Sequence, residues 1–411
     1  MHERETFHIS VRALVEYAYR GGDIESGYRD AASLTEGTKA HQQIQRRYGE
    51  QDRKEVALKT EIAHGDLLFV LEGRCDGMLA AEDGGVTIDE IKSTSSGLPS
   101  ALEETAPVHW AQAKCYAYKA AKVLGLERVG VQLTYAQVDG GAERRFSQEL
   151  SRSELERFVR HLLMKYYPFA SLRLRHERTR NGSLKALTFP YPVYRKGQRK
   201  LAAAVYKTIL DGKKLFAKAP TGIGKTMSTI FPFKAMGEGA LRRIFYLTAK
   251  TITRTAAEEA FATLRSGGLH LHAVTLTAKE KICFQEEVRC TKESCAFADG
   301  YYDRVNDALL DMLQRETLMT RSVIETYARK HRVCPFEFSL DAAYVADAII
   351  GDYNYAFDPR VNLKRMFEEQ KRHTALLIDE AHNLVDRARS MYSSELDKAA
   401  FLAVRSYKPR T

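Results

Sequence analysis

Two stretches of this chain set reactive side chains at spacings suited to phosphate chemistry. Ala219-Pro220-Thr221-Gly222-Ile223-Gly224-Lys225-Thr226 places glycines ahead of a Lys-Thr pair. Between a strand and a helix, such a loop turns backbone N–H groups onto phosphate oxygens, and the helix N-terminus adds a positive dipole end. Thr221, Gly222 and Gly224 would shape the nucleotide loop. Lys225 would neutralise the β- and γ-phosphates, and the Thr226 hydroxyl would hold Mg²⁺. Ala219 stands where the generic pattern has its first glycine, at a point where the chain is only leaving the strand. Leu376-Leu377-Ile378-Asp379-Glu380-Ala381-His382 carries an acidic pair to the end of an apolar run. Asp379 would bind Mg²⁺ through water, and Glu380 would orient and deprotonate the attacking water. Gln198 lies upstream in Tyr194-Arg195-Lys196-Gly197-Gln198, where it would read the adenine; the alternative is a solvated glutamine at a helix start.

A second group of residues sits earlier in the chain. In Val86-Thr87-Ile88-Asp89-Glu90-Ile91-Lys92, the two-residue period of a strand turns Glu90 and Lys92 to one face and Asp89 and Ile91 to the other. Asp76 lies one hairpin upstream. Asp76 and Glu90 together could hold Mg²⁺ or Mn²⁺, which would activate water and stabilise charge on a cleaved phosphodiester; Lys92 would position that water or neutralise the charge. A solvated strand end is the plainer reading of the acids and lysine alone. His41 follows Glu36-Gly37-Thr38-Lys39-Ala40, and Gln112 and Tyr116 are four residues apart, on one helix face.

Four of the six cysteines fall late: Cys283, Cys290, Cys295 and Cys334. Four thiolates can bind Zn²⁺ tetrahedrally or hold a [4Fe–4S] cluster, and spacing does not choose between them. Cys75 and Cys115 read as small core residues.

These groups need elements to hold them. Ser10 opens a helix through Val11, Leu14, Val15 and Ala18, and a second helix is expected over 34–48. Val56, Leu58, Thr60 and Ile62 alternate as a strand, and 67–71 and 86–91 are further strands. A helix over 107–124 precedes strands 128–138 and 143–149, which flank the turn Asp139-Gly140-Gly141. Ser151 and Glu154 form a capping box for a helix to about Tyr166. The later half alternates: helix 196–210, strand 214–219, loop, helix 225–236, strand 243–249, helix 252–264. It is interrupted by the cysteine region, with a helix-like stretch over 302–330, and strands resume at 348–350 and 375–378. This is the rhythm of a parallel α/β sheet. The polar stretch His176–Ser183, followed by Pro190 and Pro192, suggests a linker.

Composition sets the class. The 411 residues are 44% hydrophobic and 28% charged, which excludes a disordered or fibrous chain. A net charge of +10 favours a polyanionic partner, nucleic acid first. No apolar run approaches the ~18 residues of a membrane span, and the Met1-His2-Glu3-Arg4-Glu5 start has no secretory signal, so a cytoplasmic location and no membrane partner are expected.

The order of P-loop, four cysteines, Cys334-Pro335-Phe336, Ala346-Asp347-Ala348-Ile349-Ile350-Gly351-Asp352-Tyr353-Asn354-Tyr355 and Asp379-Glu380-Ala381-His382 resembles the XPD/DinG group of superfamily-two DNA helicases. Leu247-Thr248-Ala249-Lys250-Thr251 resembles that group's DNA-contacting motif. The resemblance covers residues 190 to about 390. It implies ATP and Mg²⁺ as cofactors, a [4Fe–4S] cluster on Cys283, Cys290, Cys295 and Cys334 instead of zinc, and 5′–3′ movement on single-stranded DNA. The group's arch insertion and its second motor domain, with the arginine finger, are absent after His382, so the chain is expected to be a fragment or a shortened gene product.

The order His41, Asp76, Glu90-Ile91-Lys92, Gln112-x3-Tyr116 resembles the RecB/AddB-type PD-(D/E)xK nucleases, and Tyr17-Ala18-Tyr19-Arg20-Gly21-Gly22-Asp23 resembles their opening helix. Here His41 would be a further metal ligand, and the helix bearing Gln112 and Tyr116 would line the DNA path.

The expected architecture is thus α/β throughout. A nuclease fold, a mixed central sheet flanked by helices, occupies 1–180. A linker spans 181–195. A RecA-like parallel motor domain fills 196–411, with an iron–sulfur insertion over 279–340 that is structurally separate from the nuclease. The expected activity is DNA repair or processing: Mg- or Mn-dependent cleavage of single-stranded or flapped DNA joined to an ATP-driven helicase half, in a monomer. The alternatives are a non-catalytic single-strand-binding module with a truncated ATPase, and an RNA-directed ATPase.

Overall fold

The computed structural model describes residues 4–24, 39–81, 84–94, 97–102, 105–138, 142–237, 241–249, 251–361, 363–364, 366–367, 373–395, 397–399 and 402. Glu36–Thr38, the turn Asp139–Gly141 and Lys250 lie outside them. Two compact units form: Met1–His176 with Cys290–Asn306, and Glu177–Arg289 with Asp307–Thr411.

In the first unit, β1 (Glu5–Ser10) passes directly into α1 (Val11–Tyr19), because the Ser10 hydroxyl accepts the Ala13 N–H at 3.1 Å. Then come β2 (Arg53–His64), β3 (Leu67–Ala80), β4 (Val86–Thr94), α2 (Pro107–Leu124), β5 (Arg128–Gln137), β6 (Glu143–Ser151) and α3 (Arg152–Ala186). A short helical run covers 39–45. The six-stranded sheet is mixed, in the order β1-β3-β4-β5-β6 with β2 also on β3. β1 joins β3 in parallel over Glu5–Ser10, and β4 joins it antiparallel over Val86–Asp89. The β3–β4 ladder stops at Gly77↔Asp89, and that opening positions the site described below. β5 and β6 form the expected hairpin. The capping box also forms: the Ser151 N–H donates to Glu154 Oε2 at 2.8 Å, and the Glu154 N–H returns to Ser151 Oγ at 3.3 Å.

Three expectations change. First, α3 runs on to Ala186 and takes in the polar stretch read as linker; residues 187–197 stay outside regular elements. The polarity there is not all solvent-facing. Arg180 is buried and donates to Asp347 Oδ1 at 2.6 Å, and Leu184 and Leu187 enter the second unit's core.

Second, part of the cysteine region belongs to the first unit. Residues Cys290–Asn306 dock onto the end of α1 and the loop after it. Tyr302 N–H donates to Gly22 O at 2.9 Å, Ile24 N–H to Ala298 O at 3.1 Å, Gly300 N–H to Asp23 Oδ1 at 2.7 Å, and Asn306 Nδ2 to Tyr17 O at 2.7 Å. The Arg20 guanidinium lies 3.7 Å from the centre of the Tyr302 ring. The expected separation of this region from the first block therefore does not hold for 290–306.

Third, residues 214–219 make no strand. Lys213–Ala219 lie in no helix or strand, and Phe216 is 93% exposed. Lysines at 213, 214 and 218 leave no continuous apolar face to hold the segment in a sheet.

The second unit has α4 (Gln198–Leu210), α5 (Lys225–Ile230) with a 3₁₀ extension Phe231–Gly237, β7 (Arg243–Thr248), α6 (Thr251–Ser266), β8 (Ala273–Thr275) and α7 (Lys279–Ile282). α8 (Tyr301–Arg315, in this unit from Asp307 on), β9 (Leu318–Met319), α9 (Arg321–His331), α10 (Pro335–Val345), β10 (Ala348–Asp352), α11 (Asn354–Phe357), β11 (Thr374–Ile378) and α12 (Leu384–Tyr392) follow. The helix-like stretch at 302–330 is thus two helices. The residues between them, Leu318–Met319, join the sheet instead. All five strands are parallel, in the order β11-β7-β10-β8-β9. Ile230, Phe233, Ile244, Phe261, Leu264 and Ile350 pack its core. No helix among the described residues is long and apolar enough to cross a membrane.

Candidate active sites

In the first unit, β3 and β4 part beyond Gly77↔Asp89, which leaves the Ile91 N–H without a ladder partner. The Asp76 side chain fills the opening and accepts that N–H through Oδ2 at 2.8 Å. Gly77 permits this on its other side, because the Tyr48 ring packs where a Cβ would stand. Glu90 is 1% exposed. Its Oε1 accepts from Lys92 Nζ at 2.7 Å, and its Oε2 is buried with no hydrogen-bond partner among the described residues. Burial pushes the Glu90 carboxyl up to about 8 against the pull of Lys92, and neighbouring Asp76 adds to the rise. Burial also raises Asp76, while His41 and the Ile91 N–H draw it down.

The expected residues converge here. His41 Nδ1 stands 3.8 Å from Asp76 Oδ1. Lys92 Nζ also donates to Gln112 Oε1 at 3.1 Å. The Tyr116 phenol lies over Gly73, where a Cβ would come within 2.9 Å of its oxygen. Burial and the charge of Glu90 raise that phenol. Cys75 and Cys115 are fully buried, and burial lifts both thiols to about 12, as suits core residues.

Several contributors were not singled out from the sequence. Gln45 donates to the Asp76 carbonyl at 3.0 Å and to Glu55 at 2.9 Å. Tyr48 donates to Asp89 Oδ2 at 2.7 Å, and Gln132 and Thr134 donate to Asp89 Oδ1 at 3.1 and 2.5 Å. His41 and Gln45 are one turn apart on the helical run 39–45, and Tyr48 follows three residues past its end.

In the second unit, Arg195 Nη1 donates to Gly222 O at 2.6 Å and holds the phosphate loop from behind. Gly222 and Gly224 have φ of 86° and 81°, a region that favours glycine, and a Cβ on Gly224 would collide with Gln198. Gln198 is not solvated: it is 3% exposed, accepts the Arg195 N–H at 3.0 Å and reaches Gly224 O at 3.5 Å. Its contacts here are to the loop backbone. Thr221 is exposed, and Thr226 begins α5 beside Lys225.

β11 delivers the acidic pair to the sheet's C-terminal end, where the Asp379 N–H continues the ladder to Leu247 O at 2.9 Å. Glu380 Oε1 meets Lys225 Nζ at 2.7 Å. That contact, more than any other influence, raises the lysine. The Tyr353 hydroxyl donates to the Asp379 and Glu380 carbonyls, the latter at 3.1 Å. Arg387 Nη2 bridges both oxygens of Asp352 at 2.8 and 2.9 Å. Tyr246 on β7 also belongs to this site: burial first, and the charge of Asp379 second, raise its phenol.

The four late cysteines are free of disulfides. Cys295 and Cys334 are buried and Cys283 and Cys290 half-buried. Cys283 and Cys334 fall in the second unit, Cys290 and Cys295 in the first.

Residues 257–401 match the DEAD_2 family model. The chain is 24% identical over 144 residues to Regulator of telomere elongation helicase 1 of Homo sapiens, covering 32% of this chain and 12% of that protein. It is 20% identical over 241 residues to General transcription and DNA repair factor IIH helicase subunit XPD of Dictyostelium discoideum, covering 51% of this chain and 30% of that protein. Each match therefore spans less than a third of the relative's length. Among solved structures, "XPD_Helicase" aligns at 18% identity with a TM-score of 0.38, over 49% of this chain and 35% of that one. Part of the second unit is thus similar to the DEAD_2 family and to helicases of the XPD kind.

Proposed function

We propose that the chain is a DNA-processing enzyme that joins a metal-dependent deoxyribonuclease to the ATP-driven half of a 5′–3′ DNA helicase. The names of the matched relatives, a telomere elongation helicase and a DNA repair helicase subunit, support DNA as the polymer, and the Gly222–Thr226 loop facing Glu380 supports ATP as the fuel. The nuclease reading rests chiefly on Glu90. A buried carboxylate oxygen with no partner costs several kcal/mol unless it takes up a proton or a cation meets it. Asp76 beside it and Lys92 on the same face supply what a Mg²⁺ or Mn²⁺ centre and a developing phosphorane charge require. The donor set fits a hard divalent cation: two carboxylates, with one imidazole at hand. When bound, that cation would generate the nucleophilic hydroxide. Lys92 would hold the phosphate, Asp76 would stay anchored by the Ile91 N–H, and Gln112 would fix Lys92.

Cys283, Cys290, Cys295 and Cys334 would hold a [4Fe–4S] cluster. Four thiols outside any disulfide suit it in chemistry, and the cluster would supply a structural brace. Protein purified without oxygen is expected to be brown, with about four irons per chain. Stoichiometric zinc without iron overturns that part.

The test of the nuclease is Mn²⁺-dependent cutting of single-stranded and flapped DNA, with and without ATP. Cleavage without ATP that Glu90→Ala abolishes, at unchanged folding, is expected. Equal cutting by Glu90→Ala refutes the assignment.

A further inference from the structure

The first unit places one more polar side chain beside Lys92. His109 lies on the first turn of α2, three residues before Gln112 and seven before Tyr116, so all three share a face. Its Nδ1 is 2.8 Å from the Tyr135 hydroxyl. Tyr135 is the register partner of Lys92 across the β4–β5 ladder, so the two side chains leave the sheet on the same side. Lys92 reaches Gln112 at 3.1 Å. Gln112 therefore touches the ammonium group, and the His109–Tyr135 pair lies on the same side of the sheet.

The network sets the imidazole's tautomer. A phenol gives its proton to a neutral imidazole nitrogen more readily than it accepts one from it, so the Tyr135 hydroxyl donates to His109 Nδ1. Nδ1 then accepts, and the ring proton resides on Nε2. Burial first, and the Lys92 charge second, hold His109 down to about 4, so the ring is neutral at physiological pH. A neutral N–H donor beside an ammonium suits a phosphodiester, because it adds a hydrogen bond without repelling the lysine. His109 is half-buried, which leaves room for a ligand to reach it.

We propose that His109 contacts the DNA phosphodiester through its Nε2–H, next to Lys92, and so sets substrate affinity at the first unit's site. This rests on the nuclease reading. It is tested on the full chain by titrating a short single-stranded oligonucleotide with Ca²⁺ as the cation, and by steady-state cleavage with Mn²⁺. His109→Ala is expected to raise Kd and KM about tenfold, the loss of one hydrogen bond to a charged group, with kcat changed less than about threefold. His109→Gln, which keeps an N–H donor, should restore most of the affinity. Tyr135→Phe, which frees the tautomer, should fall between. The contact is overturned if the parent cuts, Glu90→Ala is dead, and His109→Ala binds and cuts like the parent. It is also overturned if His109→Ala and His109→Gln lose affinity equally and melt earlier by the same amount, the mark of a merely structural residue. Should the parent not cut DNA, or Glu90→Ala cut normally, the nuclease reading falls, and the oligonucleotide titration still decides the contact.

Discussion

Lys225 Nζ and Glu380 Oε1 stand 2.7 Å apart, each side chain about one-third exposed. The residue expected to grip phosphate and the one expected to activate water thus neutralise each other. A triphosphate must break that pair to bind. Partly exposed ion pairs hold ~0.2–1 kcal/mol, so Glu380→Gln should tighten Mg-ATP binding by about two- to fivefold. The same change should slow hydrolysis at least ~100-fold, because the base is gone. Lys225→Ala should abolish binding. Nucleotide titration and phosphate release measure both effects, and unchanged turnover in Glu380→Gln would remove Glu380 from the chemistry.

Glu90 gives the metal-free protein a pH signature. Its folded value, about 8, lies above its ordinary value of 4.5. Between those values the folded state holds a proton that the unfolded chain has released, so stability falls as pH rises from about 5 to 8. Melting of metal-free protein should therefore drop across that range. Glu90→Gln should flatten the decline, and Mn²⁺ should raise the parent's melting temperature at pH 8 but not the variant's. A parent whose stability stays level between pH 5 and 8 would contradict this.

Lys119 carries the opposite sign. It is fully buried on α2, its Nζ has no hydrogen-bond partner among the described residues, and burial brings it down to about 8 from 10.5. Below about 8 the folded state must house the charge, and the penalty fades as pH climbs toward 10.5. Lys119→Met should stabilise the chain by on the order of 3 kcal/mol at pH 7 and by little at pH 10.5. Denaturant melts at the two pH values decide it; a destabilised variant at pH 7 would mean that an unseen anion holds the lysine.

The docked segment makes a fourth expectation. Asp303 Oδ1 accepts the Gly22 N–H at 3.0 Å. Asp303→Ala removes one such bond, worth ~1 kcal/mol, and should speed amide exchange at Tyr17–Ile24 about fivefold. Exchange in β5 and β6 serves as the control and should not change.

Much of the candidate sites was legible beforehand because it is local. The alternation in Val86–Lys92 dictates that Glu90 and Lys92 share a face, and the spacing of Gln112 and Tyr116 dictates the same on a helix. What stayed hidden depends on partners distant in sequence. Asp89 looked like a strand residue facing away from the acids. Only the register of β4 with β5 and the approach of Tyr48 show that it anchors the back of the acid strand. The run outside regular elements at 214–219 and the docking of 290–306 were illegible for a related reason. A strand exists only if a neighbour pairs with it, and Asp23, Asp303 and Asn306 are polar residues whose partners lie some 280 positions away.

That distance also bears on when the first unit can be completed during synthesis. Its main segment ends at His176, yet the strip that closes over α1 ends at Asn306. A ribosome adding ~5–20 residues per second needs roughly 6–26 s to make the intervening stretch. During that interval the backbone groups of Gly22 and Ile24 wait for partners not yet made, and most of the second unit's first half emerges before the first is finished. The two units therefore mature as interleaved events on the growing chain, with the α1 loop among the last parts to set.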